Sequence, residues 1–129
     1  MRRLAALPLI LALAACAGPV PGGGGAGVAP GTYRLTALNG APPKGSATLT
    51  FAADGSFTGE GPCNQHRGRN TARQPGFHVD GIASTRRMCI WEAGEGDYLK
   101  ALEGADRIIA TGPVLGLAGP GGTLDFIRE

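Results

Sequence analysis

Beyond residue 30, apolar and polar positions alternate with a period of two along most of the chain. Thr32-Tyr-Arg-Leu-Thr-Ala-Leu38 sets Tyr33, Leu35 and Ala37 on one face, which predicts a half-buried strand. Asn39-Gly40 follows as a turn able to take positive φ. Ser46-Ala-Thr-Leu-Thr-Phe51 alternates again, with Ala47, Leu49 and Phe51 inward. Asp54-Gly55 is the strongest hairpin signal, and Ser56-Phe-Thr-Gly59 is the expected returning strand. Phe77 and Val79 suggest another strand, with Ile82 near its end. Arg107–Thr111, Val114–Leu117 and Thr123–Ile127 read as three closing strands, separated by Gly112-Pro113 and by the Gly-Pro-Gly-Gly run from Gly119. One segment changes period: over Glu95–Ala105, Tyr98, Leu99 and Leu102 recur at helical spacing, with Asp97 near the start. The expectation is therefore α+β: a small antiparallel sheet or partial barrel with one short helix in the C-terminal half.

The amino terminus follows a different pattern. Arg2 and Arg3 precede an uncharged apolar run from Leu4 to Ala15. Twelve such residues rise only about 18 Å as a helix, against a hydrocarbon core of roughly 30 Å. A secretory signal fits this run better than a membrane span. Leu13-Ala14-Ala15-Cys16 resembles a bacterial lipobox, in which cleavage leaves the cysteine as first residue and its thiol carries diacylglycerol. Cys16 is thus the expected lipidation site, and several acyl chains at about 0.8 kcal/mol per buried CH₂ make such an anchor effectively permanent. Ala17, where an Asp would favour retention in the inner membrane, points to the outer membrane, facing the periplasm.

Residues 1–15 are thus read as a signal, 16–30 as the lipidated cysteine and a tether, and 31–129 as one small domain. The tether, AGPVPGGGGAGVAP after Cys16, is uncharged and dominated by Gly and Pro, and spans about 20 Å on average. Processing also changes the charge. Twelve Lys and Arg stand against ten Asp and Glu, and loss of Arg2 and Arg3 leaves ten against ten. A neutral domain does not argue for nucleic acid, which needs a concentrated cationic face. Arg67, Arg69 and Arg73 with Arg86 and Arg87 make at most a small basic patch.

With Cys16 acylated, Cys63 and Cys89 remain. Two cysteines in an oxidising compartment read most simply as a disulfide. A zinc site from Cys63, His66, His78 and Cys89 is the alternative, although only Cys63-x-x-His66 has the close spacing of structural zinc pairs. A nucleophilic cysteine needs a base and an orienting group, and no catalytic-cysteine signature surrounds either thiol. Gly-x-Ser-x-Gly, His-Glu-x-x-His and nucleotide-binding glycine motifs are absent, and acidic residues such as Asp80 and Glu92 define no paired site. The residues therefore argue against an enzyme, and no cofactor is expected.

Gly59-Glu-Gly-Pro-Cys63-Asn64, then Gly68, then Ile82-Ala-Ser-Thr85-Arg86-Arg-Met88-Cys89 resembles the META domain, or HslJ-like, family. Tyr98-Leu-Lys-Ala-Leu102 and the final Leu124-Asp-Phe-Ile-Arg continue the similarity over nearly all of residues 31–129. The resemblance implies a compact antiparallel domain with a helix, found on secreted or lipid-anchored bacterial proteins, linked to stress, and without a shared enzymatic activity. Two positions depart from the pattern. Pro62 stands where glycine is usual, and Asn70 stands where an aromatic is usual, so compensation in the core is expected. Asn64 reads as a turn residue bonding nearby backbone. Trp91, Arg86 and Arg87 are candidate contacts for a protein partner. The reading is an envelope lipoprotein with a non-enzymatic, stress-related domain. Its rivals are a protein-binding inhibitor of an envelope hydrolase and a Cys/His metal-binding protein.

Overall fold

The structure, a computed structural model, describes residues 28–89 and 94–129. The expected signal, the lipidation site at Cys16 and most of the tether lie outside the described residues, as do Trp91 and Glu92. Nine elements follow in chain order: β1 (Gly31–Leu38), β2 (Thr48–Phe51), β3 (Ser56–Glu60), β4 (Gln65–Arg69), β5 (Ala83–Ser84), α1 (Glu95–Gly104), β6 (Arg107–Thr111), β7 (Val114–Gly119) and β8 (Gly122–Arg128). Eight strands form one antiparallel sheet in the order β5-β4-β3-β2-β1-β8-β7-β6. Neighbours in space are neighbours in sequence, except that β1 pairs β8 and brings the two ends of the domain together. The domain is mainly β, and the single helix among the described residues is laid over β7 and β8. Among the described residues no helix is long and apolar enough to cross a membrane.

Alternation explains the strands, because an antiparallel sheet can bury one face and solvate the other. Tyr33, Leu35, Leu49, Phe51, Phe57, Leu115, Leu117, Leu124 and Phe126 all turn inward and are buried. Ala37 departs from the expected face. The register between β1 and β8 shifts between Leu35 and Ala37, so Ala37 is half-buried and Leu38 packs partly on the core instead. The hairpin turns follow the sequence. Asn39 and Gly40 both take positive φ, at 53° and 79°, the pattern of a tight hairpin loop. Asp54 Oδ1 accepts the Ser56 N–H at 2.9 Å, which closes the turn into β3. Tyr98, Ala101 and Leu102 seat α1 on the core, and Glu95 with Asp97 occupies its first turn.

Two expectations require correction. The strand expected around Phe77 to Ile82 is not one: this stretch makes only isolated bridges, Asn70 with Val79 and Gly76 with Arg107. It crosses from the end of β4 to the outer edge of β6, where Phe77 N–H donates to Asp106 O at 3.0 Å and Ile108 N–H to Pro75 O at 2.9 Å. Phe77 and Val79 still point inward and are buried, so their alternation reports core packing rather than a ladder. The sheet is thus not closed by strands, and this crossing segment spans the gap. Conversely, β4 and β5 were not expected at all. The N-terminal edge also differs: Val28 is buried in the core, Tyr33 Oη–H donates to Ala29 O at 2.8 Å, and Arg128 Nη2 donates to Pro30 O at 2.6 Å. Packing therefore begins three residues before the expected domain edge.

Candidate functional site

Cys63 and Cys89 are joined by a disulfide, with Cα atoms 5.9 Å apart. This connects the turn before β4 to the loop after β5. Asn64 fastens the same two segments side by side. Its Oδ1 accepts the Arg87 N–H at 2.6 Å and the Thr85 hydroxyl at 2.9 Å, and the Thr85 oxygen accepts the Gln65 N–H at 3.1 Å. Asn64 thus bonds a segment more than twenty residues away rather than the nearby backbone expected for a turn residue. The turn itself is closed by Gly61 N–H to Asn64 O at 2.8 Å.

Glu95, the first residue of α1, completes the network from the other side. Its Oε1 accepts the Asn64 N–H at 2.7 Å and, more weakly, the Cys63 N–H at 3.4 Å, while Oε2 accepts Asn64 Nδ2 at 2.9 Å. Glu95 is 9% exposed and, among the described residues, its carboxylate meets only neutral donors, so dipoles rather than a cation hold its charge. Gly61 is required here, because a Cβ on it would lie 2.6 Å from Glu95 Oε1. Beneath the network, His66 Nε2 and Tyr98 Oη share a hydrogen bond of 3.1 Å. Burial lowers the His66 pKa, against the opposing pull of the Asn64 main chain and the Glu95 charge. Burial, followed by the Glu95 charge, pushes the Tyr98 hydroxyl far above its usual range. Among the described residues, no hydrogen bond of ordinary geometry reaches His66 Nδ1, so the Asn64 main chain acts on the ring only through a poorly aligned contact.

The other motif positions divide into packing and exposure. A Cβ on Gly59 would run into His66 Nε2, and one on Gly68 would sit 2.7 Å from Phe57 Cζ, so both glycines make room for core side chains. Arg86 is exposed and Met88 is fully so. Arg87, also exposed, spends its main-chain N–H on Asn64 and reaches Cys63 O through Nη2 at 3.4 Å. Asn70 is 1% exposed: its Oδ1 accepts the N–H groups of Ala72 and His78, each at 3.0 Å. The compensation for a missing aromatic is therefore polar, a side chain that pins the crossing segment. The alternative metal set does not converge, since the sulfurs are bonded to each other, His66 is buried on Tyr98, and exposed His78 pairs with Asp80 at 2.7 Å. Among the described residues no group of three metal-ligating side chains forms.

A groove of about 690 Å³, lined mostly by residues with polar side chains, adjoins this network on the solvent face of β2, β3 and β4 with β5 as its wall. Thr48, Thr58, Glu60, Gln65 and Arg67 line it. Neither Glu95 nor this groove was expected. The only trace of the groove in the sequence is the polar half of each alternation, Thr48-x-Thr50 and Thr58-x-Glu60.

A disulfide-tied antiparallel sheet, with a Cys-Asn turn locked to the first residue of a late helix, defines a small β-rich scaffold domain. The META domain family matches residues 26–129, and the chain belongs to that family. Among solved structures it is similar to a DUF4847 family protein from Bacteroides vulgatus ATCC 8482, with TM-score 0.63 and 20% identity over 78% of this chain and 94% of that one. It is also similar to a protein from Burkholderia xenovorans, with TM-score 0.60 and 24% identity over 77% and 81%. At these identities the likeness establishes the fold alone. No curated protein matches the chain.

Proposed function

We propose that the chain is an envelope-anchored lipoprotein whose META domain is a non-catalytic, stress-related binding module. One observation carries the non-catalytic part: the polar groups at the motif end are spent on one another. Cys63 is bonded to Cys89, His66 is buried on Tyr98, and Asn64, Thr85 and Glu95 satisfy each other. A nucleophile or general base needs a free, reachable atom. The anchor rests on Leu13-Ala14-Ala15-Cys16, the outer-membrane placement on Ala17, and the stress role on the family.

The test is metabolic labelling with a palmitate analogue in a Gram-negative host, with membrane fractionation and a Cys16→Ser variant. Label and membrane association in the wild type, both lost in the variant, are the expected result. An unlabelled wild type, or a variant that still sediments with membrane, overturns the anchor. A second reading, inhibition of an envelope hydrolase, is favoured by Met88. Its side chain is wholly exposed on a loop pinned by the disulfide and Asn64, and a rigid apolar contact loses little entropy on docking.

A further inference from the structure

The groove beside the motif carries two opposite charges that do not meet. The register pairs Glu60 with Gln65 and Thr58 with Arg67, so Glu60 and Arg67 are diagonal neighbours on the solvent face. Diagonal positions lie roughly 7–8 Å apart, within reach of long side chains. Nearby, Asp54 and Arg69 do close such a contact, at 3.2 Å. Among the described residues, Glu60 and Arg67 take part in no ion pair. The hydroxyls of Thr48 and Thr58 and the carboxamide of Gln65 are equally unspent, whereas Thr50 is bonded to Thr32 and Thr85 to Asn64.

Volume and lining together select the ligand. About 690 Å³ is the size of a small-molecule site, but such sites are mostly aromatic and large-aliphatic, and here the apolar contact comes from small groups, the methyls of Ala83 and of Thr48, Thr50, Thr58 and Thr85. With no ring to stack on, a sugar or a flat apolar molecule gains little here. A molecule with an ammonium at one end, a carboxylate at the other and amides between them matches Glu60 and Arg67, with the neutral Thr58 and Gln65 flanking their diagonal. We propose that this groove binds a short zwitterionic peptide, with Glu60 receiving its amino terminus and Arg67 its carboxylate. The proposal rests on the reading of the domain as a binding module and is independent of the anchor.

The experiment is an amide-shift titration of the full-length protein in detergent micelles. The probes are trialanine, the same peptide with both ends capped as N-acetyl and amide, and triacetylchitotriose as an uncharged sugar. Trialanine should shift the amides of Thr58, Glu60, Gln65 and Arg67 saturably, while the capped peptide and the sugar should not. Glu60→Gln and Arg67→Gln should each weaken trialanine binding roughly tenfold, the value of one charge-assisted contact. Both positions are exposed, and unchanged amide spectra elsewhere confirm that the variants are folded. Equal binding of the capped peptide, saturation by the sugar, shifts that map elsewhere, wild-type affinity in the variants, or no saturable shift would each overturn the proposal. A domain that fails here yet protects a purified envelope hydrolase from unfolding remains a binding module, so the two readings fail separately.

Discussion

Glu95 is the residue whose loss should be felt most widely, and its cost can be worked from the geometry. It is 9% exposed and holds two short hydrogen bonds from Asn64, at 2.7 and 2.9 Å, with a weaker one from Cys63 at 3.4 Å. A hydrogen bond to a charged acceptor contributes about 1.5–3 kcal/mol, and a buried donor left unpaired costs about 1–3 kcal/mol. Glu95→Gln keeps the shape but turns one acceptor into a donor. However the carboxamide is oriented, its NH₂ then faces either the Asn64 main-chain N–H or Asn64 Nδ2. The expected loss is about 2–3 kcal/mol, a large part of the roughly 5–15 kcal/mol that a small domain has. At about 4–8 °C per kcal/mol, the variant should melt at least 8 °C lower. Asp97→Asn is the control, because Asp97 shares the first helical turn but is exposed, so it reports the dipole contribution of about 0.3–1 kcal/mol alone. The assay is thermal and urea unfolding of the oxidised protein followed by circular dichroism. If Glu95→Gln falls within 0.5 kcal/mol of Asp97→Asn, the carboxylate is only a helix-end charge and the proposed lock does not exist.

The disulfide closes a separation of 26 residues, so Cys63→Ser with Cys89→Ser should cost roughly 3.5 kcal/mol in urea unfolding. Thiol titration of the unfolded, exported wild type should find neither cysteine free. Gly59→Ala drives a methyl into His66 and to 2.7 Å from the Thr48 carbonyl oxygen, and should destabilise by about 1–3 kcal/mol in the same assay. For His66 the folded pKa lies below the unfolded value of about 6.5, so the unfolded chain binds the extra proton in the window between them. Stability should therefore fall as pH drops below about 6.5, until the lowered folded pKa is reached, and His66→Gln should flatten this slope in melts across that window. An unchanged slope would locate the titration elsewhere.

Most of the sheet was legible because its inward positions hold Tyr, Leu, Phe and Ile at a strict period of two, and the helix because Tyr98 and Leu102 repeat at its own period. β4 was not legible because its inward positions are His66 and Gly68, neither of which signals a buried strand. Each is admissible only through a distant partner: Tyr98 gives the imidazole a hydrogen bond, and the Phe57 ring fills the space a Gly68 side chain would take. The site was half legible. Cys63, Asn64, Thr85 and Cys89 stand out in the sequence, but nothing there says that Asn64 and Thr85 bond each other. Glu95 reads from sequence as an ordinary acidic residue in a first helical turn, and its role depends on a contact with a residue 31 positions away.

The motif and the groove are connected through β5. Only two register pairs, His66 with Ser84 and Arg67 with Ala83, hold this two-residue strand to β4, and so short a ladder has little stability alone. What keeps it in place is Asn64, whose Oδ1 receives both the Thr85 hydroxyl and the Arg87 N–H directly beyond the strand, with the disulfide two residues further on. Asn64 therefore positions the groove wall without touching the groove. Asn64→Ala should consequently loosen β5 more than the rest of the sheet. The reporter is amide hydrogen exchange at Thr85, whose N–H donates to Gln65 O at 2.9 Å. In the variant it should exchange at least about tenfold faster, beyond any uniform change from lost global stability, which Leu49 and Leu124 in the core record. If Thr85 slows or speeds only in step with those two, the disulfide alone holds the wall, and Asn64 is a turn residue of local consequence.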